Sequence, residues 1–296
     1  MTLMTQIKIP LVLLTMVLLV SPAAAQPVLE EIMARHGVTL SSRGFEGAFD
    51  DNEEPLLEPT AGSFAAPLAM LTTSTGADRI AAAFAFGVLA GRAAPDVAPG
   101  ELTAAGQALL QMMVSQDRRT RIVGARVAGR VFAAPFETAA SAKASTSAKA
   151  PADRSAGQAA TVPQGMIEAL YQMWNSSNDT EQLAAMDALG QIRERGALAA
   201  LTERYNFYRD EKKRALAGGA VEAMARIGDP FSAEFVKRLA ADSWSEGKDA
   251  TALAVAFARE RLLKDGSITV LRQAMEDKKR HGQARGYLAE LGFPLP

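Results

Sequence analysis

Residues 209–230 read RDEKKRALAGGAVEAMARIGDP and have the pattern of a helix with one buried face. Charged residues open the stretch, small and apolar residues fill it, and Gly-Asp-Pro closes it. Gly228 is a typical helix stop, and Pro230 suits the first turn of a following helix. Asp210 is expected to cap or flank the helix start. The apolar positions that recur at three- and four-residue steps are Leu216, Ala220, Ala223, Met224 and Ile227.

The same helix ending recurs along the chain. AMARI at 223–227 follows ALGQI at 188–192 by 35 residues, and ARERL at 258–262 follows after a further 35. Similar endings stand at 85–89, 127–131 and 287–291. Each ending is preceded by another helical segment, so the sequence predicts about six helix pairs in a stacked repeat. These preceding segments are predicted at 64–74, 101–115, 164–176, 196–208, 230–242 and 267–276.

These residues resemble a known repeat family. NDTEQLAAMDALGQIRERGALAALTERYNF followed by RDEKKRALAGGAVEAMARIGDP is similar to HEAT repeats, especially the short bacterial type shared with phycobilisome lyases. The similarity is best over 164–292 and weaker over 64–133, and at ARERLLKDG charged residues replace the usual small ones. The resemblance implies an all-α α-solenoid of antiparallel helix pairs, and it says little about activity.

The N-terminus has the features of a secretory signal peptide. Lys8 precedes the apolar run IPLVLLTMVLLV, and Ala23 and Ala25 fit the small-residue rule for cleavage. The run is shorter than the ~20 residues of a spanning helix. We therefore expect cleavage after Ala25, a periplasmic or secreted protein, and no stable membrane insertion.

Composition narrows the class of protein. The chain has 296 residues, a net charge of −1 and no Cys, so folding is expected to depend on burial alone. The near-neutral charge argues against binding to nucleic acid, and the Ala-rich composition favours helices.

After the signal peptide (1–25), the sequence predicts four further regions. They are an irregular leader (26–62), N-terminal helix pairs (63–136), a flexible Ala/Ser/Lys-rich linker (137–163) and a C-terminal array (164–296).

A search for catalytic or metal-binding patterns finds little. His36 and His281 are the only histidines, too few for an evident triad or metal site. An EF-hand loop starting at Asp50 would have Pro55 and Ala61 where Gly and Glu are required. We therefore predict no catalytic residues, no metal site and no cofactor.

Basic residues form a candidate binding surface. Arg119, Arg126 and Arg130 fall near one face of a helix, where they could bind carboxylates or phosphates of a partner. The alternative is a solvent-facing ridge whose stems cover apolar surface. Basic triplets at 212–214 and 278–280 open two later repeats and suggest a basic edge along the array.

Aromatic residues form a second candidate surface. Tyr171 and Trp174 are three apart on one helix, and Tyr205 and Tyr208 repeat that spacing on the first helix of the next pair. Adjacent repeats would bring the two doublets together. They serve either as recognition anchors or as packing between repeats.

The leading hypothesis is an exported, non-enzymatic scaffold or adaptor that binds a protein or peptide on a curved solenoid surface. One alternative is a carbohydrate-active enzyme with an α/α-toroid, a polysaccharide lyase or glycosidase, which needs paired carboxylates. Glu168, Glu203 and Glu222 are the available acids. A second alternative, a bilin-lyase-like chromophore-handling protein, is implied only by the repeat resemblance.

Overall fold

A computed structural model describes residues 64–91, 94–134, 162–239 and 250–293. Within these residues the chain is all-helical, with one 3-10 turn at Arg195–Ala197 and no strand. The predicted signal peptide, leader and nearly all of the linker lie outside them. The helices are α1 (Ala65–Thr73), α2 (Gly76–Ala90), α3 (Pro99–Met113), α4 (Arg118–Val131), α5 (Met166–Trp174), α6 (Asp179–Ile192), α7 (Leu198–Asp210), α8 (Arg214–Ile227), α9 (Pro230–Leu239), α10 (Ala250–Leu263), α11 (Ile268–Ala274) and α12 (His281–Glu290).

The twelve helices form six consecutive pairs, from α1 and α2 to α11 and α12, and the two members of each pair pack together. The first helix of every pair overlaps its predicted segment. The second helices also pack on one another in chain order, from α2 through α4, α6, α8 and α10 to α12. One apolar cluster contains buried residues from all twelve helices. Each pair therefore completes its core with its neighbours.

Helices on the two sides of the predicted linker pack directly against each other. α4 lies against α6, and α3 contacts α5, although residues 135–161 separate them in sequence. The pairs before and after the linker thus share one packed row.

Small residues allow this close approach at equivalent positions of the repeat. A Cβ added to Gly129 on α4 would lie 2.7 Å from the Cα of Ala188 on α6. A Cβ added to Gly190 on α6 would likewise lie 2.7 Å from the Cα of Ala223 on α8. Backbone atoms cannot move aside as a flexible side chain can. The spacing of these helices therefore depends on glycine.

We expect Gly190→Ala to lower the free energy of unfolding by about 1–3 kcal/mol relative to Gly100→Ala, because the new methyl group overlaps the α8 backbone. Gly100 is a matched control on α3, where an added Cβ meets nothing within 4 Å. Any helix-propensity gain at Gly190, up to about 1 kcal/mol in a helix interior, offsets this loss in part. Urea denaturation measures the difference, and equal stabilities would contradict the close approach of α6 and α8.

The Gly-Asp-Pro stretch separates two helices as predicted. Gly228 ends α8 with φ at 71°, in the left-handed region that glycine tolerates. Pro230 begins α9, and the Asp229 carboxylate accepts a hydrogen bond from the backbone N–H of Phe231 at 2.9 Å. The prediction for Asp210 was wrong. It is the last residue of α7, and the basic residues after it form the turn that leads into α8.

Candidate functional site

One guanidinium group lies almost fully buried in the row of second helices. Arg226, in the last turn of α8, is 3% exposed and is surrounded by three carboxylates. It donates to Asp187 on α6. Its Nη2 is 2.6 Å from Oε1 of Glu222, one turn earlier on α8. Glu290 on α12 accepts two hydrogen bonds, from Nη2 at 2.8 Å and from Nε at 3.1 Å. We call these four residues the Arg226 cluster.

Neighbouring polar groups hold the cluster in place. Gln191 donates through Nε2 to Oδ2 of Asp187 at 2.8 Å. The Tyr287 hydroxyl donates to Glu222 and accepts from Nε2 of Gln283 at 2.8 Å. The Tyr287 ring also stacks on Phe257 of α10, with centroids 4.5 Å apart. The cluster therefore joins α6, α8 and α12, and its neighbour Tyr287 also packs α12 on α10.

Burial changes the acid–base properties of these groups. It raises the pKa of Glu222 to about 7, and the charges of Asp187 and Glu290 add to that rise, while Arg226 opposes it. Burial by itself would lower the pKa of Arg226, but the attraction of the carboxylates raises it well above its ordinary value. Burial also raises the pKa of Tyr287 well above its ordinary value. Near neutral pH, Glu222 is therefore partly protonated.

A carboxyl group with a pKa near 7 can donate or accept a proton at neutral pH, which is one property of catalytic acids. Buried ion-pair networks produce the same shift without catalysis. The side chains of Asp187 and Glu222 keep 27% and 22% of their surface exposed, so this side of the cluster reaches solvent. The described residues contain no group of His, Cys, Asp or Glu that could hold a metal ion.

The predicted arginine face lies on α4. Arg119, Arg126 and Arg130 are all half-buried there. Arg130 donates through Nε to the carbonyl of Gly87 on α2 at 2.8 Å and so fastens the two helices. The Nε of Arg126 is buried and has no hydrogen-bond partner among the described residues. Arg126 thus carries a buried donor that no described residue satisfies.

The predicted basic edge is neutralised in part by acids of α6. Lys213, before α8, forms an ion pair with Asp179 at 3.0 Å. Arg121 on α4 binds Glu181 at 2.5 Å, a pair that the sequence pattern did not indicate. Acids at the start of α6 therefore interrupt a continuous basic surface.

The two aromatic doublets meet, as predicted, but in the core. Nε1 of Trp174 donates to the Tyr208 hydroxyl at 3.2 Å, which in turn donates to Gln182 at 2.7 Å. Trp174 is 3% exposed and both Tyr205 and Tyr208 are 1% exposed. Only Tyr171, stacked on Trp174 with centroids 6.1 Å apart, remains half-buried. The buried three pack between successive pairs and present no edge to a partner.

The remaining sequence positions considered as sites are the two histidines and the acidic stretch after Asp50. His281 begins α12 and is exposed. His36 and the acidic stretch after Asp50 lie outside the described residues. None of the described helices has the length and apolar character required to span a membrane.

Comparison with known proteins adds no identification. No family model matches the chain, and no curated protein matches its sequence significantly.

Sequence reasoning missed the Arg226 cluster, although the repeat contains a signal for it. In the aligned helix endings, Arg226 occupies the same position as Arg130, Gln191 and Arg261. Arg261 donates through Nε to the carbonyl of Ala225 at 2.6 Å, as Arg130 does to Gly87. The arginines at three of these four positions bond to the preceding second helix, whereas Gln191 donates to Asp187 on its own helix.

Proposed function

We propose that this chain is an exported α-solenoid of the HEAT-repeat type that binds a protein or peptide and catalyses no reaction. Six successive helix pairs with one shared core support the solenoid, because stacked repeats build an extended surface. The N-terminal sequence pattern supports a periplasmic or secreted location. On this proposal the protein is a scaffold or adaptor.

The partner surface is assigned to the arginine face of α4, and the partner to an acidic polypeptide segment. The observation that carries this assignment is that Arg119 and Arg126 lie half-buried on one face of α4, where the Nε of Arg126 has no hydrogen-bond partner among the described residues. Guanidinium groups bind carboxylates through two parallel hydrogen bonds. A partner's carboxylate that reaches the exposed part of the Arg126 side chain would therefore supply acceptors that the described residues do not. Arg119, seven residues and about two turns earlier on α4, supplies a second charge.

The alternative function, that of a carbohydrate-active enzyme, has weaker support. It requires carboxyl groups that converge with an open space between them. Glu168 and Glu203 are exposed on α5 and α7, the first helices of their pairs, whereas Glu222 lies on a second helix. Glu222 is engaged by Arg226 instead. The bilin-lyase-like role rests on the repeat resemblance alone.

The test is affinity capture from periplasmic extract with the mature chain as bait. We expect the double substitution Arg119→Ala, Arg126→Ala to reduce capture of the main partner at least about tenfold, as loss of an interface anchor does. The melting temperature should change little, because Arg126 contributes an unsatisfied donor. A synthetic peptide that carries the acidic segment of the captured protein should compete with capture.

The matched control is Lys278→Ala, Lys279→Ala, which removes two exposed positive charges elsewhere on the surface. Capture should survive in this variant. Equal loss in both variants would indicate attraction by net charge alone, and undiminished capture by the Arg119, Arg126 variant would overturn the assignment of the surface.

A further inference from the structure

Beyond its pair partner α11, the last described helix is attached to α10 and to α8. Tyr287 of α12 stacks on Phe257 of α10, the neighbouring second helix, with ring planes 14° apart. Glu290 reaches past α10 and binds Arg226 of α8 through two hydrogen bonds. The second attachment is unusual because it connects residues 64 positions apart and bypasses the adjacent helix pair.

Within the four residues of the Arg226 cluster, the negative charges outnumber the positive one. One guanidinium group faces three carboxylates, one each from α6, α8 and α12. If all three are ionised, the cluster holds two excess negative charges in a largely buried place, and like charges at this range repel. If one carboxyl is protonated, the excess falls to one. Among the described residues, the charged or titratable groups of the cluster and its hydrogen-bond partners are Asp187 on α6, Arg226 and Glu222 on α8, and Tyr287 and Glu290 on α12. Arg261 on α10 donates to the carbonyl of Ala225, the residue next to Arg226.

We propose that α12 is a pH-sensitive latch, held on α8 by the Arg226 cluster while Glu222 is protonated and loosened when Glu222 ionises. Protonation of Glu222 removes its electrostatic repulsion from Glu290, the carboxylate that α12 contributes. Ionised Glu222 restores that repulsion and competes with Glu290 for the same Nη2 of Arg226, which lies 2.6 Å from one and 2.8 Å from the other. Loosening removes Glu290 from Arg226 and Tyr287 from Phe257.

The direction of the pH effect follows from the burial of Glu222. Its pKa in the folded protein is about 7, above the ordinary value of 4.5. When α12 is released, Glu222 is hydrated and its pKa returns toward the ordinary value. The stabilisation of the latched state is therefore complete below that ordinary value and is lost as the pH rises through about 7. Tyr287 does not titrate in this range, because burial raises its pKa further from neutrality. Its hydroxyl donates to Glu222 and favours the ionised form, so it opposes the repulsion from Asp187 and Glu290 in part.

The experiment is amide hydrogen exchange of the full mature chain at about pH 5.5 and about pH 8, corrected for the intrinsic pH dependence of exchange. We expect protection of the α12 amides to fall on the order of tenfold relative to those of α8 across this range. Glu222→Gln should abolish most of that dependence, because an amide cannot ionise. Glu203→Gln on α7, an exposed carboxyl, is the matched control and should behave as the unmodified chain does.

Two results would overturn the latch. One is protection of α12 that stays constant with pH in the unmodified chain, a measurement that needs no variant to fold. The other is an unchanged pH dependence in Glu222→Gln. Glu290→Gln provides an independent check, because it removes the repelling charge from α12 itself. It should weaken protection of α12 at low pH and reduce the additional loss at high pH.

Discussion

Replacing Arg226 with Ala is expected to lower the free energy of unfolding by about 3–5 kcal/mol at neutral pH, because it leaves three largely buried carboxylates without their cation. Arg226 is the shared partner of Asp187, Glu222 and Glu290, so no second group in the cluster can compensate. Urea denaturation measures the change.

The loss should shrink at about pH 4, because carboxyl groups that are buried without a cation become protonated more readily and then repel one another less. Lys237→Ala is the matched control: it breaks an exposed pair with Glu234 at 2.5 Å and should cost less than about 1 kcal/mol. A cost for Arg226→Ala as small as that of the control would show that the cluster does not stabilise the fold.

Replacing Trp174 with Ala is expected to cost about 3–5 kcal/mol of stability, the range for removing a large aromatic side chain from a core. Trp174 is buried, stacks with Tyr171 and donates to the hydroxyl of Tyr208. The substitution leaves a cavity between successive pairs and removes one partner of that hydroxyl. Circular dichroism melting should report a large fall in the melting temperature.

Phe207→Ala is the control for this prediction, because Phe207 neighbours Tyr208 but is 50% exposed. It should cost less than about 1 kcal/mol. Measuring partner capture on both variants separates stability from recognition. A Trp174→Ala protein that melts normally yet loses its partner would return Trp174 to the binding surface.

The α4 arginines show what the helical spacing of residues can predict about a side chain and what it cannot. Their sequence spacing predicted one face, and all three are half-buried on the same helix. The spacing could not distinguish Arg130, which binds the carbonyl of Gly87, from Arg126, whose Nε has no partner among the described residues. That difference depends on which atoms of another helix lie within reach.

The aromatic doublets show more clearly the difference between what sequence spacing predicts and what packing decides. Three-residue spacing placed each doublet on one side of its helix, and the repeat period correctly placed Trp174 beside Tyr208. Whether that side faces solvent or the next pair is a property of how the pairs stack. The structure buries Trp174, Tyr205 and Tyr208, and this removes them from the candidate binding surface.

The helix pairs, their order and the turn at Gly228 and Pro230 could be predicted from the sequence alone. Apolar periodicity and helix-stop residues are local signals that involve only a few neighbouring residues. These local signals place helix boundaries only approximately, since Asp210 ends one helix where it was expected to start the next. Only the tertiary structure brought Glu290 to Arg226 and gave Glu222 a raised pKa. The ion pair closes 64 residues of chain, and the pKa reflects burial by other helices; both depend on packing between segments that no local pattern encodes.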